Sequence, residues 1–249
     1  MTNAIDYAGL FPPAGLAMRE AVRNYERYRG GAERGLLGRF VVPQAQARET
    51  GLPSDRLSIL APFSGVSGPA FYEVKGAPGD AAIPLGAMVY FECPFENLAD
   101  IKRPGARAKI RTGGVTADMI PSPEEVAAFL LECARLRLAF KATAGLHHAI
   151  RSEYPLTYEP GSARTTMHGF LNLLIASALA WRGAIEATVR GALEERDAHA
   201  FRFDEDEGAW REHRLALKEL AGARAEFITG FGSCSFEEPV AELKALGLL

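Results

Sequence analysis

The chain has 249 residues, 48% of them hydrophobic, with 28 lysines and arginines against 31 aspartates and glutamates, for a formal net charge of −3. That is enough apolar content for one full core, and with no basic run it argues against a nucleic-acid surface as the main partner. Cys93, Cys133 and Cys234 are too widely spaced for a disulfide framework or a zinc site, no stretch approaches the roughly 18 apolar residues of a membrane span, and Met-Thr-Asn-Ala-Ile-Asp lacks the features of a secretory leader.

In chain order, short β-rich runs alternate with helical patterns, the order that parallel βα units produce. Strands are expected at Ala4 to Ala8, Gly38 to Pro43, Arg56 to Ala61, Ala70 to Lys75, Met88 to Cys93, Ala106 to Arg111, Leu138 to Thr143 and Glu226 to Gly230. Ala17 to Arg29 carries Ala21, Val22, Tyr25 and Tyr28 at helical spacing, and Pro123 to Arg137 opens with Ser122 as a cap and a proline in the first turn. Residues 152–166 read as a polar loop and about 167–193 as one apolar helix. The segment 201–210, with Asp204 to Glu207 at its tip, reads as a small acidic hairpin, and a last helix runs from Pro239 to Leu246 behind Glu237 and Glu238. Eight strands with seven or eight helices make a single α/β domain over 1–249, a (β/α)8 TIM-type barrel with an inserted segment at about 152–224 before the last strand. Such barrels place function at the C-terminal ends of their strands.

Two lysines stand out at those ends, in Arg107-Ala-Lys109-Ile-Arg-Thr-Gly-Gly114 and Phe140-Lys141-Ala-Thr-Ala-Gly-Leu-His-His148. A lysine closing a buried strand is costly to desolvate. It is either paired with a carboxylate, for which Glu73 and Glu92 are candidates, or kept for chemistry that needs an amine of lowered pKa, and two close cations can depress each other. Period-two alternation puts Lys109 and Arg111 on one face of their strand with Ile110 opposite, and likewise Lys141 and Thr143 on one face of theirs with Phe140 and Ala142 opposite. Arg111 at the rim is then placed to meet an anion.

Lys109-Ile-Arg-Thr-Gly113 and Phe140-Lys-Ala-Thr-Ala-Gly145 resemble the sixth- and seventh-strand lysine motifs of the deoxyribose-phosphate aldolases. Ile5-Asp-Tyr7, Val89-Tyr-Phe-Glu92 with Asn97 to Ile101 as a helix start, and Gly232-Ser-Cys-Ser235 are similar to that family's first strand, fifth strand and eighth-strand phosphate loop. The resemblance implies a Schiff-base lysine at Lys109, a tuning cation at Lys141 and an acidic proton relay at Glu73. It also implies phosphate or substrate contacts through Thr112, Gly113, Gly114, Gly145, Gly232, Ser233 and Ser235. Arg111, His147, His148 and the long insertion depart from the family pattern and point to another substrate.

His147 and His148 supply either acid/base or substrate contacts, since imidazole titrates near neutrality. With Glu73, Glu92 and His168 they could also assemble a divalent-ion site, though no His-x-x-x-His spacing calls for one. Cys234 is either a nucleophile in the field of the following helix or a small residue filling an anion loop. Cys93 and Cys133 read as filler, and His199 and His213 have no convergent partner. The expectation is therefore a cytoplasmic lyase of the class I aldolase type, with catalytic Lys109, Lys141, Glu73 and Glu92 acting on a small anionic carbonyl metabolite, phosphorylated or not. No cofactor, metal, nucleic acid or membrane is expected, and a homo-oligomer is left open. A metal-dependent barrel enzyme and a non-catalytic metabolite-binding barrel are the two alternatives.

Overall fold

The computed structural model describes residues 2–77 and 79–249. Strands β1 (Ile5–Tyr7), β2 (Leu37–Pro43), β3 (Leu57–Leu60), β4 (Phe71–Lys75), β5 (Met88–Glu92), β6 (Ala106–Arg111) and β7 (Phe140–Thr143) follow one another around a barrel. Helices α1 (Met18–Gly30) and α2 (Pro123–Leu136) make the crossovers after β1 and β6. The insertion then holds a hairpin, β8 (Ser152–Pro155) and β9 (Arg164–Met167), two helices, α3 (Phe170–Trp181) and α4 (Glu186–Glu194), and a three-stranded antiparallel sheet, β10 (Phe201–Phe203), β11 (Glu207–Trp210) and β12 (His213–Ala216). Helix α5 (Leu217–Glu226) leads into β13 (Ile228–Ser233), which closes the barrel between β7 and β1 before α6 (Glu237–Ala245) ends the fold. All eight barrel strands run parallel. The molecule is thus the TIM-type α/β barrel the sequence predicts, and none of its described helices is long and apolar enough to cross a membrane.

Four details differ from the sequence reading. Among the described residues the connections 44–56, 61–70, 76–87 and 93–105 carry no α-helix, only 3₁₀ segments where they are helical at all, the longest being Gln44–Thr50. They lie near the minimum length for a parallel crossover, and Pro53, Pro62, Pro69, Pro84, Pro94 and Pro104 would interrupt helical hydrogen bonding. The helix expected at Asn97 to Ile101 is among the casualties, so the described residues hold six α-helices rather than seven or eight. Residues 152–166 fold as the β8–β9 hairpin, and the helix expected over 167–193 is two helices. Gly183, at φ +89°, turns the chain between them. The acidic hairpin gains a third strand, β12, against β11.

The layer between barrel and helices is apolar. Phe40, Val89, Phe91, Phe140 and Phe231 on the strands, and Val126, Leu130, Phe170 and Leu179 on the helices, are fully buried, each worth about 1.5–3 kcal/mol for leaving water. Ser122 caps α2 through a capping box with Glu125, which satisfies two otherwise unpaired backbone donors. The barrel interior is polar. Arg39 stacks on Phe71 at 3.2 Å, and Tyr90 Oη is bonded to Thr229 at 3.0 Å and to Arg107 at 3.1 Å.

Candidate active site

The β6–β7 register sets Lys109 directly beside Lys141 and Arg111 beside Thr143. Both ammonium groups turn inward to carboxylates. Lys109 Nζ meets Glu73 Oε2 at 3.0 Å and Glu92 Oε2 at 2.9 Å, while Lys141 Nζ meets Glu73 Oε1 at 2.7 Å and Asp6 Oδ2 at 2.5 Å. Glu73 bridges the two lysines and accepts a third bond from Ser58 Oγ at 2.7 Å. Asp6 is oriented by the Arg39 backbone N–H, 2.7 Å from its Oδ1, and Glu92 is shared with Arg111 Nε at 3.3 Å. The cluster is buried. Lys141 is 1% exposed and Lys109 7%, with Glu92 the partner most open to the mouth.

This arrangement revises the electrostatic argument from the sequence. Burial would lower the Lys141 pKa, but Asp6 and Glu73 outweigh it and hold the ammonium above its ordinary range. Burial would likewise raise Glu73, yet Lys141 and Lys109, with bonds from Lys141 and Ser58, hold its carboxyl far below the usual range. Glu92 is also lowered, against burial, by Lys109 and Arg111. The Lys141 ammonium is therefore not depressed by its neighbour, because the Glu73 carboxylate stands between the two lysines.

The glycine loops above the lysines do structural work. Thr112 Oγ1 donates to the carbonyls of Thr143 and Ala144, at 3.2 and 2.7 Å, and ties the two strand ends together. Gly113 and Gly145 pack backbone on backbone, so a Cβ on Gly113 would lie 2.9 Å from the Gly145 Cα, and Gly145 has φ +73°. A Cβ on Gly232 would reach Thr143 Oγ1 at 3.1 Å and one on Gly114 would collide with Met119.

A second cluster sits at the mouth, where the loop after β7 meets β13 and α6. His147 Nδ1 lies 3.1 Å from Ser233 Oγ and 3.2 Å from Glu238 Oε2. Tyr158, from the β8–β9 hairpin, donates to Glu238 Oε2 at 2.9 Å. Burial opposes charge on His147, but hydrogen bonding with Cys234 and Glu238 pushes its pKa up to about 9. His148 stacks on Tyr154 with ring centroids 3.4 Å apart and meets Glu242 at 2.6 Å. Ser235 Oγ accepts the Glu238 backbone N–H at 3.1 Å, as a cap does. The His147, His148, Tyr158 and Glu238 side chains border a cavity of about 100 Å³, together with Pro12, Pro13, Gly114 and Gly145. The two lysines lie below this cavity and do not line it.

Lys109, Lys141, Glu73, Glu92 and Arg111 thus come together as one unit, and His147, His148, Ser233 and Ser235 as another. His168 joins neither. It bonds the Pro121 carbonyl at 2.8 Å and Arg151 at 3.3 Å, and burial lowers its pKa to about 4. The ligand set of Glu73, Glu92 and a histidine is therefore not assembled, and among the described residues no three His, Cys, Asp or Glu side chains converge as a metal site. Cys234 Sγ lies 3.8 and 3.9 Å from the two His147 ring nitrogens, within sulfur hydrogen-bonding reach of both. Burial raises the Cys93 thiol to about 11 and lifts Cys133 as well, in keeping with filler roles. Asp6, Ser58, Tyr158 and Glu242 are absent from the sequence-derived site. Asp6 was visible as a carboxylate at a strand end, whereas nothing in the sequence ties Tyr158 to α6.

Family models, curated proteins and solved structures provide no match to this chain. The barrel and its two clusters are therefore the grounds on which function is argued.

Proposed function

We propose that this protein is an enzyme that acts on a small carbonyl compound through an iminium on Lys109, in the manner of the class I aldolases its lysine motifs resemble. The observation that carries this reading is the asymmetry of the pair. Each lysine meets two carboxylates, but Lys141 is the more deeply buried with its pair, Asp6 and Glu73, and is kept as a fixed cation. Lys109 is held from the mouth side by Glu92, which has Arg111 as a second partner. When the Lys109 ammonium gives up a proton, Glu92 is 2.9 Å away to take it, while Glu73 stays ionised between two lysines. The free amine adds to the carbonyl, water leaves, and the resulting iminium withdraws electrons from the neighbouring carbon. That assists carbon–carbon cleavage or formation, or proton removal, at that carbon. Glu92 rather than Glu73 is therefore the proton shuttle.

Reduction with borohydride in the presence of small aldehydes and ketones should add the substrate mass less one oxygen to the intact protein, at Lys109, because water is lost and two hydrogens are gained, and Lys109→Met should lose the adduct. An unchanged mass across such compounds removes this reading. The non-catalytic alternative, in which both lysines hold a bound anion, is less well supported, because Asp6, Glu73 and Glu92 already occupy their charge.

A further inference from the structure

The loop Gly232 to Ser235 and the first turn of α6 have the form of an anion cradle, but the chain takes two of its donors and places a carboxylate at its opening. The Ser235 N–H donates to Ser233 Oγ at 3.3 Å and the Glu238 N–H to Ser235 Oγ at 3.1 Å. The positive end of the helix faces two carboxylates in its own first turn. Glu237 turns outward to Arg27 at 2.9 Å. Glu238 turns to the mouth, between Tyr158 and His147. One turn further on, Glu242 takes His148 and the Ala149 N–H. A phosphate carries nearly two negative charges and needs free donors. Here the Ser235 and Glu238 N–H groups are already used, and the Glu238 carboxylate would repel it.

What the cavity offers instead is a mixture of donors and acceptors whose charges are matched among themselves: a phenol, an imidazole and a carboxylate. Its volume of about 100 Å³ is well below the roughly 300–1,000 Å³ of pockets for drug-sized ligands. Gly114 and Gly145 in its wall follow directly on the strands that bear Lys109 and Lys141. We propose that Glu238, Tyr158 and His147 seat the uncharged, hydroxyl-bearing end of the substrate, so that the substrate class is short unphosphorylated hydroxyaldehydes and hydroxyketones. This rests on the Lys109 iminium and departs from the phosphate contact that the family resemblance implies.

The test is borohydride trapping of the full chain with glyceraldehyde and, in parallel, with glyceraldehyde 3-phosphate, read as the rate of Lys109 adduct formation by mass, with Lys109→Met subtracted as background. The unphosphorylated compound should label faster by about tenfold, the ratio that ~1.4 kcal/mol of discrimination gives. Millimolar inorganic phosphate should neither slow the labelling nor raise the thermal midpoint. Glu238→Gln should narrow the preference by removing the repelling charge, and Tyr158→Phe should keep the preference while slowing labelling by glyceraldehyde. Equal or faster labelling by the phosphorylated compound, or a thermal midpoint raised by phosphate, overturns the inference and leaves the Lys109 reading standing. If neither compound labels Lys109, the reading beneath it falls and the inference with it.

Discussion

The two charged clusters of this barrel are built on opposite plans. In the interior, Lys109, Lys141, Asp6, Glu73 and Glu92 come from five strands and are locked by register, with each cation between two carboxylates. At the mouth, His147, Glu238, Tyr158 and Ser233 come from loops, a hairpin and a helix end, with a cavity among them. The first excludes water, so each lost partner strands a charge. The second borders open space, so its groups can exchange partners with a ligand. Rigidity below and adaptability above suit a reactive amine whose substrate is recognised at its other end.

The sharpest way to break this contrast is to remove one interior partner. Lys141→Met leaves Asp6 and half of Glu73 uncompensated in a dry site and should cost about 3–5 kcal/mol of stability, measured by urea unfolding. A loss below about 1 kcal/mol, the range of a solvated surface pair, would show that water reaches the cluster.

The next effect is a pH dependence of opposite sign in the two regions. Glu73 has its pKa depressed by folding, so its contribution is present above the ordinary carboxylate pKa near ~4.3 and is lost only as pH falls through its much lower folded value. His147 is raised from 6.5 to about 9, so its contribution is complete below 6.5 and is lost as pH rises through about 9. At ~1.4 kcal/mol per unit that contribution is at most about 3.5 kcal/mol. Unfolding free energies across this window should fall with pH in the native chain and lie flatter in His147→Gln. Parallel curves for the two proteins would contradict the His147–Glu238 pairing.

Smaller again is the tie between the strand ends. Thr112→Val removes the hydroxyl bonds to Thr143 and Ala144 and should cost about 1 kcal/mol, while slowing Lys109 adduct formation more than it lowers the melting temperature. Equal effects on both would make Thr112 a packing residue only.

Much of this was legible in the order of residues, for identifiable reasons. The apolar runs place the eight barrel strands within two or three residues of their observed ends, because burial on a pleated strand imposes a period of two on runs that here are three to seven residues long. The two lysines were legible as neighbours because one strand–helix–strand unit separates them and parallel units are laid side by side. Helices were less legible where crossovers are short. Strand-like and helix-like apolar runs look alike at that length, and only the prolines tell against a helix.

By itself, then, the sequence determined the barrel, the inward face of β6 and β7, and the pairing of Lys109 with Lys141, since periodicity and chain connectivity are local properties. Only the tertiary structure decided what the lysines meet. Asp6 and Lys141 lie 135 residues apart in sequence, and Tyr158 and Glu238 lie 80 apart, so no local rule links them until the barrel closes. That closure turned a pair of mutually repelling cations into an alternating chain of charges, and it put a carboxylate where the sequence suggested a phosphate.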